Sequence, residues 1–458
     1  MEGLLQEVSI RNSSQKQRMV DRQVPNSLTS LRTVRCCRLG SPLPRISGRL
    51  ILRAVRIAGF GVLAAVAMAQ TPRQQPPSFE FSSRESSLCI PAEIVAGGLV
   101  LMQAEVNGHA GWFILDNASQ GFTIDTEYAR RNSLEFTDRA RASGGGAGPI
   151  DAGIVHDVRI SLKGLGLTHR NLIVIALKAI EPAVGHTVDG ILGSRLFDDF
   201  VVRVDYDRPC VSIYPPDRYH PNGNETAFPV RIDQHGFPFL DASITLPGMA
   251  PVRGNFLIDG GANSFADIYK PFAAAHGIPP PGMRLLYMPG TSTGGRTESR
   301  DGRADRIALG PYSIKNPPIT FAEDTEGLMA AADYSGLIGA EFLKRFTVTF
   351  DHPNKRVWLT PNRHYAEVAA YDQSGLRLRA DPPDFHRFIV TRILPNSAAA
   401  QAGILPDDVI TSIADRPAQD LTLTELRKLL CRPDGQYPLG IRRGNREIQV
   451  KIRLRQLL

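Results

Sequence analysis

Two aspartates follow apolar segments at matching places in the two halves of the sequence. Asp116 follows Phe-Ile-Leu at 113–115, and Asp259 follows Phe-Leu-Ile at 256–258, 143 residues further on. When two carboxyl groups share one site, one can accept a proton from water while the other donates a proton to the substrate. The two residues therefore predict acid–base activation of water, provided that the fold brings them together.

A second pair of motifs repeats at almost the same spacing. Gly-Ile-Leu-Gly at 190–193 and Gly-Leu-Ile-Gly at 336–339 place Gly193 and Gly339 146 residues apart. Two motif pairs in one register predict a duplicated unit. Its pseudo-twofold symmetry would set Asp116 and Asp259 face to face in one cleft. The alternative for a single aspartate of this kind is a carboxylate that caps the turn at a strand end.

The elements that must position these residues are short strands. From Ala92 to about residue 362, apolar runs lie between Gly, Pro and Asn turns, which is typical of a mostly β fold. A short helix is expected just after each aspartate motif, at Thr126–Asn132 and Lys270–His276. The predicted strands are Leu99–Val106, Gly111–Asp116, Ile154–Leu162, Asn171–Ala176, Val201–Asp205, Val211–Tyr214, Phe239–Ile244, Gly254–Asp259, Ala304–Leu309, Ile319–Ala322, Phe346–Asp351 and Arg356–Thr360.

Each half also carries a glycine-rich stretch between its two motifs. Glycine reaches backbone conformations that other residues avoid, so both stretches are predicted to be mobile hairpin tips that close over the cleft. A phosphate-binding loop is the alternative, but no Gly-Lys-Ser/Thr follows either stretch. The residues expected to cover the cleft are Gly144, Gly145, Gly146, Tyr287, Gly294 and Gly295.

Charge is distributed unevenly along the chain. The 458 residues carry a net charge of +7, but residues 1–69 hold eleven Lys and Arg against three acidic residues. The remainder is close to neutral and offers no basic patch that would predict binding to nucleic acid or to a membrane surface. A chain of this length predicts two to four domains.

The basic N-terminal part contains a pattern typical of an export signal. Arg49, Arg53 and Arg56 precede the apolar run Ile57–Ala67, and Ala-Met-Ala at 67–69 follows. The pattern predicts cleavage after Ala69 and a periplasmic or cell-envelope location. Residues 1–47 would then be an upstream stretch from a wrong start codon. Alternatively they are a disordered extension that leaves the signal uncleaved, and only then would the protein contact a membrane.

Three cysteines remain after such a cleavage. Cys89, Cys210 and Cys431 are widely spaced and odd in number, which indicates neither a disulfide framework nor a CxxC metal site. Cys210 lies in an apolar strand and is predicted to be a packed thiol. A Cys89–Cys210 bridge in an oxidising compartment is the alternative.

The pattern changes after the second half. A strand at 387–393 leads to a turn and short helix at 395–404, a strand at 407–413 and an amphipathic helix at Leu423–Leu430. A strand pair at 439–442 and 448–454 closes the chain. The predicted organisation is an N-terminal extension with a signal-like segment (1–69), a linker (70–91), a first lobe (92–217), a second lobe (218–365) and a C-terminal α+β domain (372–458).

The two halves resemble the retropepsin-like, pepsin-clan (clan AA) aspartic proteases. The resemblance rests on Leu115-Asp116, Ile258-Asp259 and the two apolar–apolar–Gly segments, and it covers roughly residues 92–362. It implies a bilobal β-barrel fold of two related halves with Asp116 and Asp259 as the catalytic pair. It also implies an extended peptide or protein substrate, and no metal or organic cofactor. The residues expected to support the catalytic loops are Asn117, Ala118, Gly193, Gly260, Gly261 and Gly339.

The C-terminal segment resembles a PDZ domain of the kind attached to bacterial exported proteases. The residues that carry this resemblance are Asn-Ser-Ala-Ala at 396–399, Ala-Gly-Ile at 402–404 and Asp-Val-Ile at 408–410. It implies that a protein C-terminus binds by adding a strand to the domain. The groove for this ligand is expected at His386, Arg387, Phe388 and Ile389.

The sequence departs from the protease pattern beside each aspartate. The family has Asp-Thr/Ser-Gly, and the hydroxyl bonds across to the opposite loop. This chain has Asn117 and Ala118 after the first aspartate, and Gly260 and Gly261 after the second. These changes could move the two carboxylates, and a displacement of about 1 Å can lower a catalytic rate about 100-fold. Three hypotheses for the function therefore stay open. They are an exported endopeptidase, an inactive relative that binds peptides, and an adaptor that acts through its PDZ groove.

Overall fold

The predicted alternation of short strands and turns is confirmed, and the protein is mostly β. The structure is a computed structural model that describes residues 78–81, 89–142, 144–146, 148–432 and 435–458. These residues belong to one compact unit. The predicted N-terminal extension and export signal, with most of the predicted linker, lie outside the described residues. Within the described residues, no helix is long and apolar enough to cross a membrane.

The first lobe contains eleven strands and three short helices among its described residues. Its helices are α1 (Thr126–Arg131), α2 (Glu181–Val184) and α3 (Ser194–Asp199). Its strands are β1 (Ser78–Phe81), β2 (Cys89–Val95), β3 (Leu99–Val106), β4 (His109–Leu115), β5 (Phe122–Asp125), β6 (Thr137–Ala142), β7 (Ile150–Leu162), β8 (Leu165–Ile175), β9 (Gly190–Leu192), β10 (Val201–Asp205) and β11 (Cys210–Tyr214).

Local chemistry accounts for the elements around the first aspartate. Strands β3 and β4 are joined by Asn107 and Gly108, both with positive φ (51° and 83°), which is the preferred geometry of a two-residue hairpin turn. Helix α1 begins after Asp125, whose side chain accepts hydrogen bonds from the amides of Glu127 and Tyr128. The hairpin turn and the helix cap therefore define the two ends of the segment 107–125, which contains Asp116.

The second lobe repeats much of this order. Its helices are α4 (Lys270–His276) and α5 (Ala340–Leu343). Its strands are β12 (Thr226–Pro229), β13 (Arg231–Ile232), β14 (Pro238–Thr245), β15 (Val252–Ile258), β16 (Ala266–Ile268), β17 (Leu286–Tyr287), β18 (Gly290–Ser292), β19 (Gly295–Thr297), β20 (Ser299–Arg303), β21 (Arg306–Leu309), β22 (Tyr312–Lys315), β23 (Pro318–Ala322), β24 (Gly336–Ile338), β25 (Phe346–Asp351) and β26 (Arg356–Pro361).

The two lobes are joined by equivalent strands. Strands β10 and β25, which follow the second motif of each half, pair antiparallel with Arg203 opposite Thr349. This pair lies within one sheet that contains β11 on the first-lobe side and β26 on the other. Phe197 of the first lobe packs edge-on against Phe350 of the second, with ring centroids 5.2 Å apart. The joint is therefore both hydrogen-bonded and apolar.

Cys89 and Cys210 form a disulfide, so the prediction of a packed Cys210 thiol was wrong and its alternative is correct. Strands β2 and β11 are antiparallel neighbours, with Cys89 opposite Ser212 and Cys210 opposite Pro91. This pairing brings the two Cα atoms to 5.4 Å, although 121 positions separate them in the sequence. Cys431 is a free thiol whose pKa is raised to about 12 by burial.

The C-terminal domain has its own apolar core. Its helices are α6 (Ala398–Gln401) and α7 (Leu423–Leu430), and α7 has the predicted bounds. Helix α7 begins at a reciprocal cap between Thr422 and Glu425 and buries Leu423, Leu426, Leu429 and Leu430. The strands are β27 (Leu376–Ala380), β28 (Phe388–Ile393), β29 (Val409–Ile413), β30 (Arg416–Pro417), β31 (Gln436–Arg443) and β32 (Arg446–Arg453). Their order in the main sheet is β27-β28-β29-β31-β32.

Candidate active site

Each aspartate lies immediately after a strand that is paired in parallel with the second motif of its half. Leu115 of β4 lies opposite Leu192 of β9, and the Asp116 amide donates to the Leu192 carbonyl at 3.0 Å. In the second lobe β15 pairs with β24, and the Asp259 amide donates to the Ile338 carbonyl at 3.0 Å. The two motifs of each half therefore act together to position one carboxylate.

Gly193 and Gly339 let the supporting segments approach the aspartate loops closely. A side chain on Gly193 would place its Cβ 2.4 Å from the Ser119 carbonyl oxygen, and one on Gly339 would meet the Ser264 carbonyl oxygen at the same distance. Both contacts are far shorter than a carbon atom tolerates. The predicted role of these glycines as loop supports therefore has a steric basis.

The backbone of each loop orients its own carboxylate. The Ala118 amide donates to Asp116 Oδ1 at 2.9 Å. In the second loop the amides of Gly261 and Ala262 donate to Asp259 Oδ1 at 2.8 and 3.1 Å. Both aspartates are fully buried. Each carboxylate therefore has a fixed direction relative to its loop.

The two aspartate loops contact one another at Gly261. A Cβ atom on Gly261 would lie 2.3 Å from both Cγ and Oδ2 of Asp116. The Asp116 carboxylate thus lies directly against the residue two positions after Asp259. The fold therefore brings the two aspartate loops together, and any side chain at position 261 would displace the Asp116 carboxylate.

Asn117 links the two loops across the lobes. Its Nδ2 donates to the Ile258 carbonyl at 2.6 Å, and its Oδ1 accepts from the Gly260 amide at 2.8 Å. The residue is 1% exposed, so both bonds are shielded from water. The sequence predicted an altered brace, and the structure shows that one amide side chain supplies both a donor and an acceptor. Gly260 leaves room for it, because a Cβ there would lie 3.1 Å from Asn117 Oδ1.

Ala118 occupies the position where the protease pattern has glycine. It is fully buried among apolar residues of the second lobe, including Phe237, Phe239 and Leu257. Its methyl group is therefore accommodated by packing between the lobes. This departure from the pattern adds an apolar contact at the base of the loop.

The two glycine-rich stretches meet each other. The amides of Gly146 and Gly148 donate to the carbonyls of Thr293 and Gly294 at 3.0 and 2.9 Å. Thr293 and Gly294 form the turn of the β18–β19 hairpin, where Gly294 and Gly295 have φ of +94° and +110°. The predicted hairpin tip is confirmed in the second lobe. The prediction that both stretches cover the aspartate pair stays a prediction.

Tyr287 faces the C-terminal domain. Its ring lies 5.4 Å from the guanidinium carbon of Arg392, and the side chain is 47% exposed. Its hydroxyl donates to Glu298, and this hydrogen bond raises the pKa of Tyr287 above its usual value. Tyr287 therefore lies where the second lobe meets the C-terminal domain. The expectation that it lies over the cleft stays a prediction.

The predicted peptide groove of the C-terminal domain was wrong. Phe388 and Ile389 lie in β28, which pairs with β27 on one side and with β29 on the other. Both edges of β28 are therefore already used where a ligand strand was expected. His386 Nδ1 lies 2.9 Å from the Leu421 carbonyl, and Arg387 forms an ion pair with Asp381.

The outer strand on the β28 side of this sheet is β27, which the sequence analysis did not predict. The segment Ser-Gly-Leu-Arg-Leu-Arg-Ala at 374–380 alternates apolar and charged residues after a glycine turn. This pattern could have identified an edge strand. It lies upstream of the residues that carried the resemblance.

Comparisons with known proteins identify families for two separate parts of the chain. The aspartyl protease family matches residues 102–196, and the PDZ domain family matches residues 389–443. The chain therefore contains an aspartyl protease family domain and a C-terminal PDZ domain, as predicted, and this indicates a protease-like role. No curated protein matches the chain.

Two solved structures are similar to part of the chain. The HtrA3 PDZ domain bound to a phage-derived ligand (FGRWV) is 24% identical and covers 18% of this chain and 84% of its own, with a TM-score of 0.17. The photosystem II D1 C-terminal processing protease is 21% identical and covers 19% of this chain and 23% of its own, with a TM-score of 0.18.

Proposed function

We propose that the chain is an aspartic endopeptidase that hydrolyses peptide bonds through water activated by Asp116 and Asp259. The observation that carries this proposal is the contact between the Asp116 carboxylate and Gly261, two residues beyond Asp259. Two buried carboxyl groups on facing loops hold one proton between them more readily than none, because two adjacent negative charges repel. One group is then a base and the other an acid.

The ionised carboxylate accepts a proton from water as the water oxygen bonds to the peptide carbonyl carbon. The protonated carboxyl group donates its proton to the carbonyl oxygen. The tetrahedral intermediate then loses its C–N bond, and the leaving amine takes up the proton that the first carboxylate received. One hydroxyl group of the intermediate returns its proton to the second carboxylate as the C=O bond re-forms, so the pair again holds one proton. The pair acts as one unit throughout, and no metal or organic cofactor enters these steps.

The brace made by Asn117 favours this function over the inactive relative. Catalysis depends on how well the two carboxylates are held, and Asn117 makes two buried hydrogen bonds between the loops. We also infer that the two lobes derive from one duplicated unit. The equivalent supports of Asp116 and Asp259, on Leu192 and Ile338, favour this origin.

We further propose that the protein is exported to the periplasm or cell envelope. The Cys89–Cys210 disulfide supports this location, since such bonds persist in oxidising compartments. The C-terminal domain would then recruit a peptide or protein substrate there. The adaptor hypothesis differs in requiring only this domain for ligand binding.

Cleavage of a diverse peptide mixture between pH 3 and 7, read by mass spectrometry, tests the enzymatic proposal. We expect cleavage by the wild type, inhibition by pepstatin, and no cleavage by Asp116→Asn or Asp259→Asn. Asp205→Asn is the matched control, because Asp205 also ends a strand, while its carboxylate accepts hydrogen bonds from the amides of Asp207 and Arg208. A well-folded wild type that binds peptides without cleaving any of them would favour the inactive relative.

A further inference from the structure

The C-terminal domain has an edge strand beside a helix. Strand β27 is one of the two outer strands of its sheet, and Arg427 of helix α7 contacts it. Arg427 of α7 donates from Nη2 to the Leu378 carbonyl of β27 at 3.2 Å, and the Gln373 amide donates to the Leu430 carbonyl at 3.0 Å. An extended peptide adds to a sheet at such an edge and fills the space against the neighbouring helix.

The first lobe already occupies this groove. Helix α2 lies against β27. Arg427 donates from Nη1 to the Ala183 carbonyl of α2 at 2.9 Å, so one guanidinium joins the first lobe to the edge strand. Gly185 ends α2 with φ +75°, and a methyl group there would lie 2.8 Å from Cβ of Leu423. We call residues 181–185 the resident segment.

The buried guanidinium of Arg427 joins the first lobe to the C-terminal domain. Removal from water lowers the pKa of Arg427 to about 10. A guanidinium moved out of water needs acceptors, and the carbonyls of Ala183 and Leu378 supply them. A second bond joins the same helix to the first lobe, since the Ala96 amide donates to Thr424 Oγ1 at 3.2 Å.

The backbone amides of the loop before β27 are hydrogen-bonded to side chains of the same loop. The amides of Gly375 and Leu376 donate to Asp372 Oδ1 at 2.6 Å and to Ser374 Oγ at 3.0 Å. Backbone amides of this kind are what a peptide carboxylate uses when a loop captures it. Burial raises the pKa of the Asp372 carboxyl group, which is the internal acceptor.

We propose that the first-lobe segment 181–185 is the resident occupant of the peptide groove between β27 and α7 of the C-terminal domain. An extended peptide binds there by displacing this segment. The inference rests on the proposed recruitment of peptides by the C-terminal domain, and it adds that recruitment changes the contact with the first lobe.

Displacement reaches the aspartate loops along the chain. The resident segment leads within a few residues into strand β9, whose Leu192 carbonyl holds the Asp116 amide. In the second lobe, Met288 at the base of the glycine-rich hairpin packs against Leu394 and Leu457 of the C-terminal domain. A ligand that moves this domain therefore alters the support of Asp116 and the base of the hairpin.

Two variants loosen the resident segment from opposite sides. Gly185→Ala pushes a methyl group against Leu423, and Arg427→Met removes both carbonyl contacts while keeping the aliphatic stem. Gly277→Ala is the matched control, because Gly277 also ends a helix with positive φ (+62°) but has no atom within 4 Å of an added methyl group. The backbone strain is thus similar, and only the groove contact differs.

Binding is measured on the full chain carrying Asp259→Asn, so that the probe is not consumed. The probes are fluorescein-labelled decapeptides that differ only in an apolar C-terminal residue. We expect Gly185→Ala and Arg427→Met to bind the probes at least about tenfold more tightly than Gly277→Ala does. The reason is that both variants increase the fraction of molecules whose groove is free of the resident segment and can bind a peptide. Probe binding should also increase deuterium uptake at residues 180–188.

Equal affinity in all variants, or unchanged uptake at 180–188 on binding, would overturn the proposal. So would the absence of probe binding by every variant. If Arg427→Met does not fold by circular dichroism, the comparison of Gly185→Ala with Gly277→Ala decides the question. None of these outcomes depends on cleavage, so failure here is separate from failure of the proposed peptidase activity.

Discussion

Replacement of Asn117 by alanine tests whether this side chain holds the two aspartate loops together. The change leaves the Ile258 carbonyl and the Gly260 amide without their partner in a site where Asn117 is 1% exposed. An unsatisfied buried polar group costs about 1–3 kcal/mol, so the two together cost roughly 2–6 kcal/mol. Water that enters the space left by the amide would bond to these groups and reduce the loss of unfolding free energy to about 3 kcal/mol, in the lower half of this range.

A loss of about 3 kcal/mol corresponds to a fall in Tm of roughly 4–5 °C for a unit of this size, because the entropy of unfolding grows with the number of residues. Since the brace joins the two aspartate loops, its loss should displace the carboxylates relative to each other, and a displacement of about 1 Å should lower kcat about 100-fold. Thermal unfolding followed by circular dichroism gives the first quantity, and steady-state cleavage of one identified peptide gives the second.

The matched control is Asn171→Ala in the same lobe. The Asn171 side chain is exposed and bonds only to His156 among the contacts described here, so its removal should change stability by less than about 0.5 kcal/mol. If Asn117→Ala has the same Tm and kcat as this control, then Asn117 does not brace the two loops. A fall in Tm with unchanged kcat would show that the brace serves stability alone.

Three further changes test other parts of the account. Gly261→Ala should abolish cleavage in a folded protein, because its methyl group meets the Asp116 carboxylate, whereas Gly260→Ala should retain more activity; equal loss in both would contradict this. His352 is buried with a pKa lowered to about 3, so the folded state favours the neutral ring, and the stability it contributes is complete above about pH 6.5 and declines as pH falls towards 3. Between pH 7 and 4.5 the unfolding free energy, measured by urea unfolding, should therefore fall by about 2–3 kcal/mol less in His352→Leu than in the wild type. Parallel curves of unfolding free energy against pH for the two proteins would contradict this. Cys89→Ser with Cys210→Ser should lower the unfolding free energy by about 2–5 kcal/mol, and the wild type under reducing agent should match it.

The sequence predicted most of what short-range patterns encode. Strands at Leu99–Val106, Val201–Asp205 and Phe346–Asp351 and the helix at Lys270–His276 form with the predicted bounds. The repeated motifs also predicted that both aspartates lie on equivalent loops. These features depend on periodicity and on turn residues, which act locally.

Features that depend on contacts distant in the sequence were missed or misplaced. The brace joins Asn117 to Gly260, and the disulfide joins Cys89 to Cys210, so neither partner carries a local sign of the other. The peptide groove was assigned to β28, because nothing within that strand shows that β29 covers its second edge. Such pairings follow from the tertiary fold.

The central claim is that Asp116 and Asp259 act as one unit on water. Measuring kcat/KM for one cleaved peptide in the wild type, in Asp116→Asn, in Asp259→Asn and in the double variant tests it directly. If the pair is the catalytic unit, each single variant should lose essentially all activity, and the double variant should lose no more. A single variant that keeps activity close to that of the wild type would contradict the account.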